Sequence, residues 1–233
     1  MAGSRRLSKP PTHKRTPVAE KGPEALLRAA ERLFAEHSVE DVSMRQIVVA
    51  AGQANHYAVQ HHFGDKQGLV RAILQMRLPE VNAIREQLIV DAGGVEALDA
   101  AGLVRVLFLP LARFVDEAGR HTHARFMLRL QQRETAPSVM LEFYDDSSLM
   151  ALVVDALRGR LSHLSEPVFA LRLRLTSHLF LHAALALDSP DAMAGMSADT
   201  LLAHTLQACH SVLAHPDTVS SHREQADQAA RGD

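Results

Sequence analysis

Apolar residues return every three or four positions through most of this chain, and nowhere do they settle into the two-residue alternation of a strand ladder. The first stripe is Leu26, Leu27, Ala30, Leu33 and Phe34, behind Gly22-Pro23. Proline is accepted in a first helical turn, so the pattern predicts a helix from 23 to about 37. Ser43 then precedes Met44-Arg45-Gln46, a Ser-x-x-Gln capping box that marks a helix start. Ile47, Val48 and Ala51 supply its buried side, and Gly52 stops it. Asn55 is placed to cap a third helix, 55 to 62. Val59 and Phe63 face inward on it, with His56, Tyr57, Gln60 and His61 on the other side.

Gly64-Asp65 breaks the chain again, and Asp65 should cap a long helix from 66 to about 90 that buries Leu69, Val70, Ile73, Leu74 and Met76. Pro79 should bend or interrupt it, and Gly93-Gly94 should end it. Helical patterns follow at 95–101, 102–118, 121–134, 137–160, 165–187 and 197–214, with a kink expected at Pro110. The fold class is all-α. The expected organisation is a flexible basic arm (1–21), a helix-turn-helix domain (22–66), a larger ligand-binding and dimerisation domain (67–215) and a flexible tail (216–233).

Composition fits a soluble globular chain, with 47% apolar and 22% charged residues among 233. The formal net charge of -2 hides an asymmetry. Residues 1–21 carry Arg5, Arg6, Lys9, Lys14, Arg15 and Lys21 against Glu20, a net +5 that leaves -7 on the rest. A basic tail on an acidic body suits an arm that meets a polyanion, or simply a solvated tail. The single cysteine, Cys209, fits a reducing compartment, and no apolar run reaches the roughly 20 residues of a membrane span. A cytoplasmic protein that does not engage the membrane is expected.

A short helix, a glycine turn and a second short helix form the plan whose second helix enters the DNA major groove. The outward groups suit base edges: Asn and Gln pair with adenine in bidentate fashion, His donates to guanine or phosphate, and Tyr reaches phosphate or a thymine methyl. An ordinary surface helix usually carries Lys and Glu, whereas Arg45 is the only charged side chain from Met44 to Gly64.

Ser43-Met44-Arg45-Gln46-Ile47, Ala50-Ala51-Gly52 and His62-Phe63-Gly64-Asp65-Lys66-Gln67-Gly68-Leu69 together resemble the TetR family of bacterial transcription regulators, over roughly residues 24–76. The resemblance implies a homodimer that binds a double-stranded operator, usually as a repressor, and leaves it when a small molecule binds the C-terminal domain. It further implies that Ser43 and Arg45 face backbone or base edges, that Lys66 holds a phosphate, and that His62 and Phe63 close the small core. The sequence departs from the family in having one extra residue between Gly52 and Phe63. Val59-Gln60 also stands where a Leu-Tyr pair is common, so Tyr57 becomes the available phenol. The DNA-contact set is therefore Ser43, Arg45, Asn55, His56, Tyr57, Gln60, His61 and Lys66.

By the same resemblance, helices near 167–187 and 197–214 would form the dimer's four-helix bundle, and both have the apolar content. A core role for the same stripes competes. For the effector, whose identity the sequence leaves open, Phe108, Phe114, His121, Phe126, Arg129, Phe143 and Tyr144 are aromatic and polar candidates, with core packing as the competing role. No metal or cofactor is expected. His178 and His182 have metal-compatible spacing, but no Glu-x-x-His or cysteine cluster accompanies them. The alternative function is a helical metal-dependent or small-molecule enzyme that uses the helix-turn-helix only as scaffold. No nucleophile motif or phosphate loop supports it.

Overall fold

The computed structural model describes residues 22–54, 57–132, 148–189, 191 and 195–217. The helices are α1 (Pro23–Glu36), α2 (Met44–Ala50), α3 (Ala58–Phe63), α4 (Lys66–Asp91), α5 (Ala100–Arg113), α6 (Thr122–Gln131), α7 (Ser148–Arg160), α8 (Glu166–Ala186) and α9 (Ala198–Ala214), with a 3-10 turn at Val95–Ala97. No strand occurs among the described residues. The expected arm (1–21) and most of the expected tail lie outside them, as does 133–147, where the predicted 137–160 helix would begin.

Caps set the boundaries. The Ser43 hydroxyl accepts from the Gln46 amide at 3.2 Å while the Gln46 side chain accepts from the Ser43 amide at 2.7 Å, which completes the box that starts α2. Asp65 accepts from Gly68 N at 2.7 Å to start α4, and Asp99 accepts from Gly102 N at 2.8 Å to start α5. The Asp99 cap corrects the predicted pair of helices at 95–101 and 102–118: one helix begins at Ala100 and ends at Arg113.

Two further expectations change. α4 runs from Lys66 to Asp91 through Pro79, so the proline does not interrupt it. Proline removes one backbone hydrogen bond, but buried neighbours on both sides, Arg77 and Val81, anchor the helix through tertiary packing. α3 begins at Ala58 rather than at 55, and its first residue has no side-chain cap.

α1, α2 and α3 pack around Leu26, Phe34, Ile47, Val48 and Val59, and α4 continues from them into the body. α1 also lies against α6, so the N-terminal module touches the body at a second place. α5 sits centrally against α4, α7, α8 and α9, and α8 packs along α9. One core runs without a break from Leu26 to Leu213.

Candidate nucleic-acid interface and effector cavity

The recognition unit is held by its frame. Gly52 closes α2 at φ 64°, a left-handed turn that glycine adopts without strain. Gln53 Nε2 then donates to the Gly22 carbonyl at 2.8 Å and pins the turn to the start of α1. Lys66 Nζ donates to the Glu40 carbonyl at 2.6 Å and pins the start of α4 to the α1–α2 loop. Between these ties Val59 is fully buried and Phe63 packs half-buried on the core. Gly68 lets the two helices meet: a Cβ there would stand 1.9 Å from the Phe63 carbonyl oxygen.

The opposite face is open. Arg45, Gln60, His61 and His62 are exposed, and Tyr57 is 76% exposed at the head of α3. The His61 and His62 rings meet edge to face, with centroids 5.2 Å apart. These exposed groups are a guanidinium, an amide, imidazoles and a phenol, all able to bond base edges or phosphates. Formal charge is sparse, because Arg45 and Lys66 are the only cations from 43 to 66.

Behind this module lies a buried polar knot. Glu31 of α1 is almost wholly enclosed. Arg77 of α4 grips it twice, Nη2 to Oε2 at 2.6 Å and Nε to Oε2 at 2.9 Å, and His123 Nδ1 of α6 lies 2.8 Å from Oε1. Burial pushes the Glu31 carboxyl up, but the hydrogen bonds from His123 and Arg77 outweigh it and hold the carboxyl below its ordinary range. The Arg77 guanidinium also lies over the Phe114 ring, 5.1 Å from its centroid.

Next to the knot a cavity of ≈ 30 Å³ opens between α4, α5, α6, α7 and α8. That is room for about two waters. Leu74, Val81, Leu107, Leu111 and Met127 make apolar walls, and Arg77, Arg85 and His123 supply the nitrogens. No carboxylate is among the described residues that line it. Gln131 lines the same wall, and its buried Oε1 has no protein partner.

A family model for bacterial regulatory proteins of the tetR family matches residues 26–73, the span from α1 into α4 that holds the recognition unit and its frame. Over residues 26–73 the chain matches the TetR family. It is a DNA-binding transcriptional regulator. No curated protein matches it. A protein of Mesorhizobium loti described as a TetR-family transcriptional regulator is 20% identical, with 82% of this chain and 94% of that one covered at a TM-score of 0.46. A TetR-family protein of Vibrio parahaemolyticus is likewise 20% identical, with 81% and 96% covered at 0.46. AlkX of Dietzia, a TetR-family repressor implicated in n-alkane biodegradation, is 19% identical, with 81% and 93% covered at 0.34. At these values the likenesses add nothing to the family match.

The expected contact residues divide. Arg45, Tyr57, Gln60 and His61 are exposed, while Asn55 and His56 lie outside the described residues. The Ser43 hydroxyl is engaged in the capping box, donating to Gln46 Oε1 at 2.7 Å. Lys66 gives one of its three ammonium hydrogens to Glu40. His62 is exposed, so only Phe63 of the expected His-Phe pair packs inward.

The expected effector residues divide further. Phe108 lines the cavity and packs on Phe180, with ring centroids 5.5 Å apart. Phe126 is fully buried against Phe34, and Phe114 packs on His123 and Arg77. His121 ties the start of α6 to the end of α8, with Nδ1 2.6 Å from Asp188 and Nε2 3.0 Å from the Ala112 carbonyl. Arg129 is exposed, and Phe143 and Tyr144 lie outside the described residues. Among the described residues no three His, Cys, Asp or Glu side chains converge as a metal site would need, and no helix is long and apolar enough to cross a membrane.

Sequence reasoning missed Glu31, Arg77 and Arg85 because charged residues read as surface. Spacing held the signal: Glu31 lies four after Leu27 and three before Phe34, and Arg77 and Arg85 fall four on either side of Val81.

Proposed function

We propose that this protein is a cytoplasmic homodimeric repressor that leaves its operator when a small molecule fills the cavity beside Arg77. The observation that carries the reading is the open face of α3, where Tyr57, Gln60 and His61 stand outward while Val59 anchors the helix. In this reading Arg45, Tyr57, Gln60 and His61 meet bases and backbone. Lys66 and the basic residues of 1–21 meet phosphates, each neutralised phosphate adding about 0.9 to the salt slope.

Dimerisation is supported by an unpartnered stripe. Leu171, Leu175 and Leu179, four apart on α8, are 46%, 51% and 41% exposed, and Ala208 and Val212 on α9 are exposed at the same spacing. A second copy covering this stripe would set the separation of two recognition helices. On α9 the residues Leu206, Cys209 and Leu213 serve the intrachain core instead.

Effector release is supported by the position of the cavity. α4 runs from the recognition unit along the cavity wall, so a ligand that prefers another α4 arrangement weakens DNA binding by linkage. Selection of bound fragments from genomic DNA tests the reading. Enrichment of a site with two related half-sites about one helical turn apart is the expected result, and absence of any enriched site overturns it.

A further inference from the structure

The effector cavity and the buried knot share two residues. Arg77 and His123 line the cavity, and the same two side chains hold Glu31 of α1. With Arg85 they give the lining two guanidinium groups and an imidazole, and aliphatic side chains make up most of the remainder. A ligand suited to such walls is an apolar chain that ends in an anion.

We propose that the cavity takes a small aliphatic carboxylate whose head group competes with Glu31 for Arg77 and His123. This rests on the reading of the cavity as the effector site and names the effector's class and the contact it acts on. Arg77 already gives Nε and Nη2 to Glu31 and Nη1 to Glu80 at 3.0 Å. An incoming carboxylate therefore gains a bidentate arginine contact by taking donors from Glu31. A carboxylate as enclosed as Glu31 is strongly disfavoured without donors, so α1 must move to re-solvate it. α1 carries the core of the recognition unit, and its first carbonyl side holds Gln53 through Gly22. Ligand charge thus reaches the turn before α3 through one exchange of partners. The cavity must widen as this happens, since ≈ 30 Å³ is too small for such a chain. The Gln131 Oε1 atom on the same wall is an acceptor open to a ligand hydroxyl.

Calorimetric titration of the full chain with octanoate, 1-octanol and octylammonium, without DNA, tests the class. Octanoate should bind at least about tenfold tighter than the other two, within the usual range of such couplings. Octanol binding as tightly as octanoate, or no octanoate binding, overturns the proposal. Glu31→Gln removes the competing charge while keeping the side chain's shape. It should tighten octanoate binding about tenfold, whereas unchanged or weaker affinity in a folded variant argues that the knot is only structural. If that variant does not fold, hydrogen exchange of the parent chain decides: octanoate should accelerate exchange in α1, and unaltered α1 protection overturns the competition. Operator binding is read in a separate arm, so failure of the carboxylate leaves the DNA-binding reading intact, and failure on DNA leaves the carboxylate result intact.

Discussion

Arg77 reaches back 46 residues to Glu31, with Nη2 2.6 Å from Oε2 and both side chains almost wholly buried. Taking one partner of such a pair strands the other's charge in a low-dielectric interior. Glu31→Ala should therefore cost about 3 to 5 kcal/mol of stability. Denaturant unfolding checks this through a lowered midpoint, and a loss below about 1 kcal/mol would place the pair in the range of a surface salt bridge.

Acid should unfold the protein through its paired carboxylates. Burial pushes the Asp188 carboxyl up, but its bonds with His121, and the charges of His121 and Arg125, outweigh that and hold it below its ordinary 3.8. Glu31 is likewise held below 4.5. A depressed folded-state pKa gives stability that is complete above the unfolded value and is lost as pH falls through the folded one. Melting temperature should thus fall below about pH 4.5, and Asp188→Asn, less stable at neutral pH, should lose less across that window. Parallel curves for the two proteins would remove Asp188 from the account.

Gly68 is where α3 and α4 meet. Its substitution by alanine puts a methyl group 1.9 Å from the Phe63 carbonyl oxygen, a backbone atom that cannot swing aside. Gly68→Ala should destabilise the N-terminal module by about 1 to 3 kcal/mol, visible as faster hydrogen exchange in α2 and α3 than in α8. Uniform exchange rates would mean that the contact relaxes freely.

The exposed leucine stripe on α8 can be tested by charge. Leu175→Glu places a carboxylate in the middle of Leu171, Leu175 and Leu179 and should convert the proposed dimer to monomer with little loss of helicity. Sedimentation velocity distinguishes the two. An unaltered dimer would move the interface elsewhere.

Much of this architecture is legible in single residues. Ser43, Gly52 and Asp65 mark the helix-turn-helix because each satisfies backbone groups locally, whatever lies around it. The start of α3 is less legible: Ala58 follows Tyr57, and no side chain caps it, so packing of Val59 sets its position. At Pro79 the helix is not interrupted for the same reason, since tertiary burial of Arg77 and Val81 outweighs a local preference. Of the expected DNA-contact residues, Arg45, Tyr57, Gln60 and His61 are exposed as their helix positions suggest, while the Ser43 hydroxyl is occupied by its own cap. The lining of the cavity was least readable. Aromatic content pointed to Phe114 and Phe126, which fill the core, while the cavity's cations come from helix positions that pattern alone assigns to burial.

The recognition claim rests on the outward face of α3. The most direct test measures binding of the parent, Tyr57→Ala and Gln60→Ala to the selected operator and to a scrambled duplex, across a range of salt. A side chain that contacts a base should cost about 1 to 3 kcal/mol on the operator when removed, and leave scrambled-duplex binding and the salt slope unchanged. If both variants bind the operator like the parent, α3 does not read the sequence and the central claim fails.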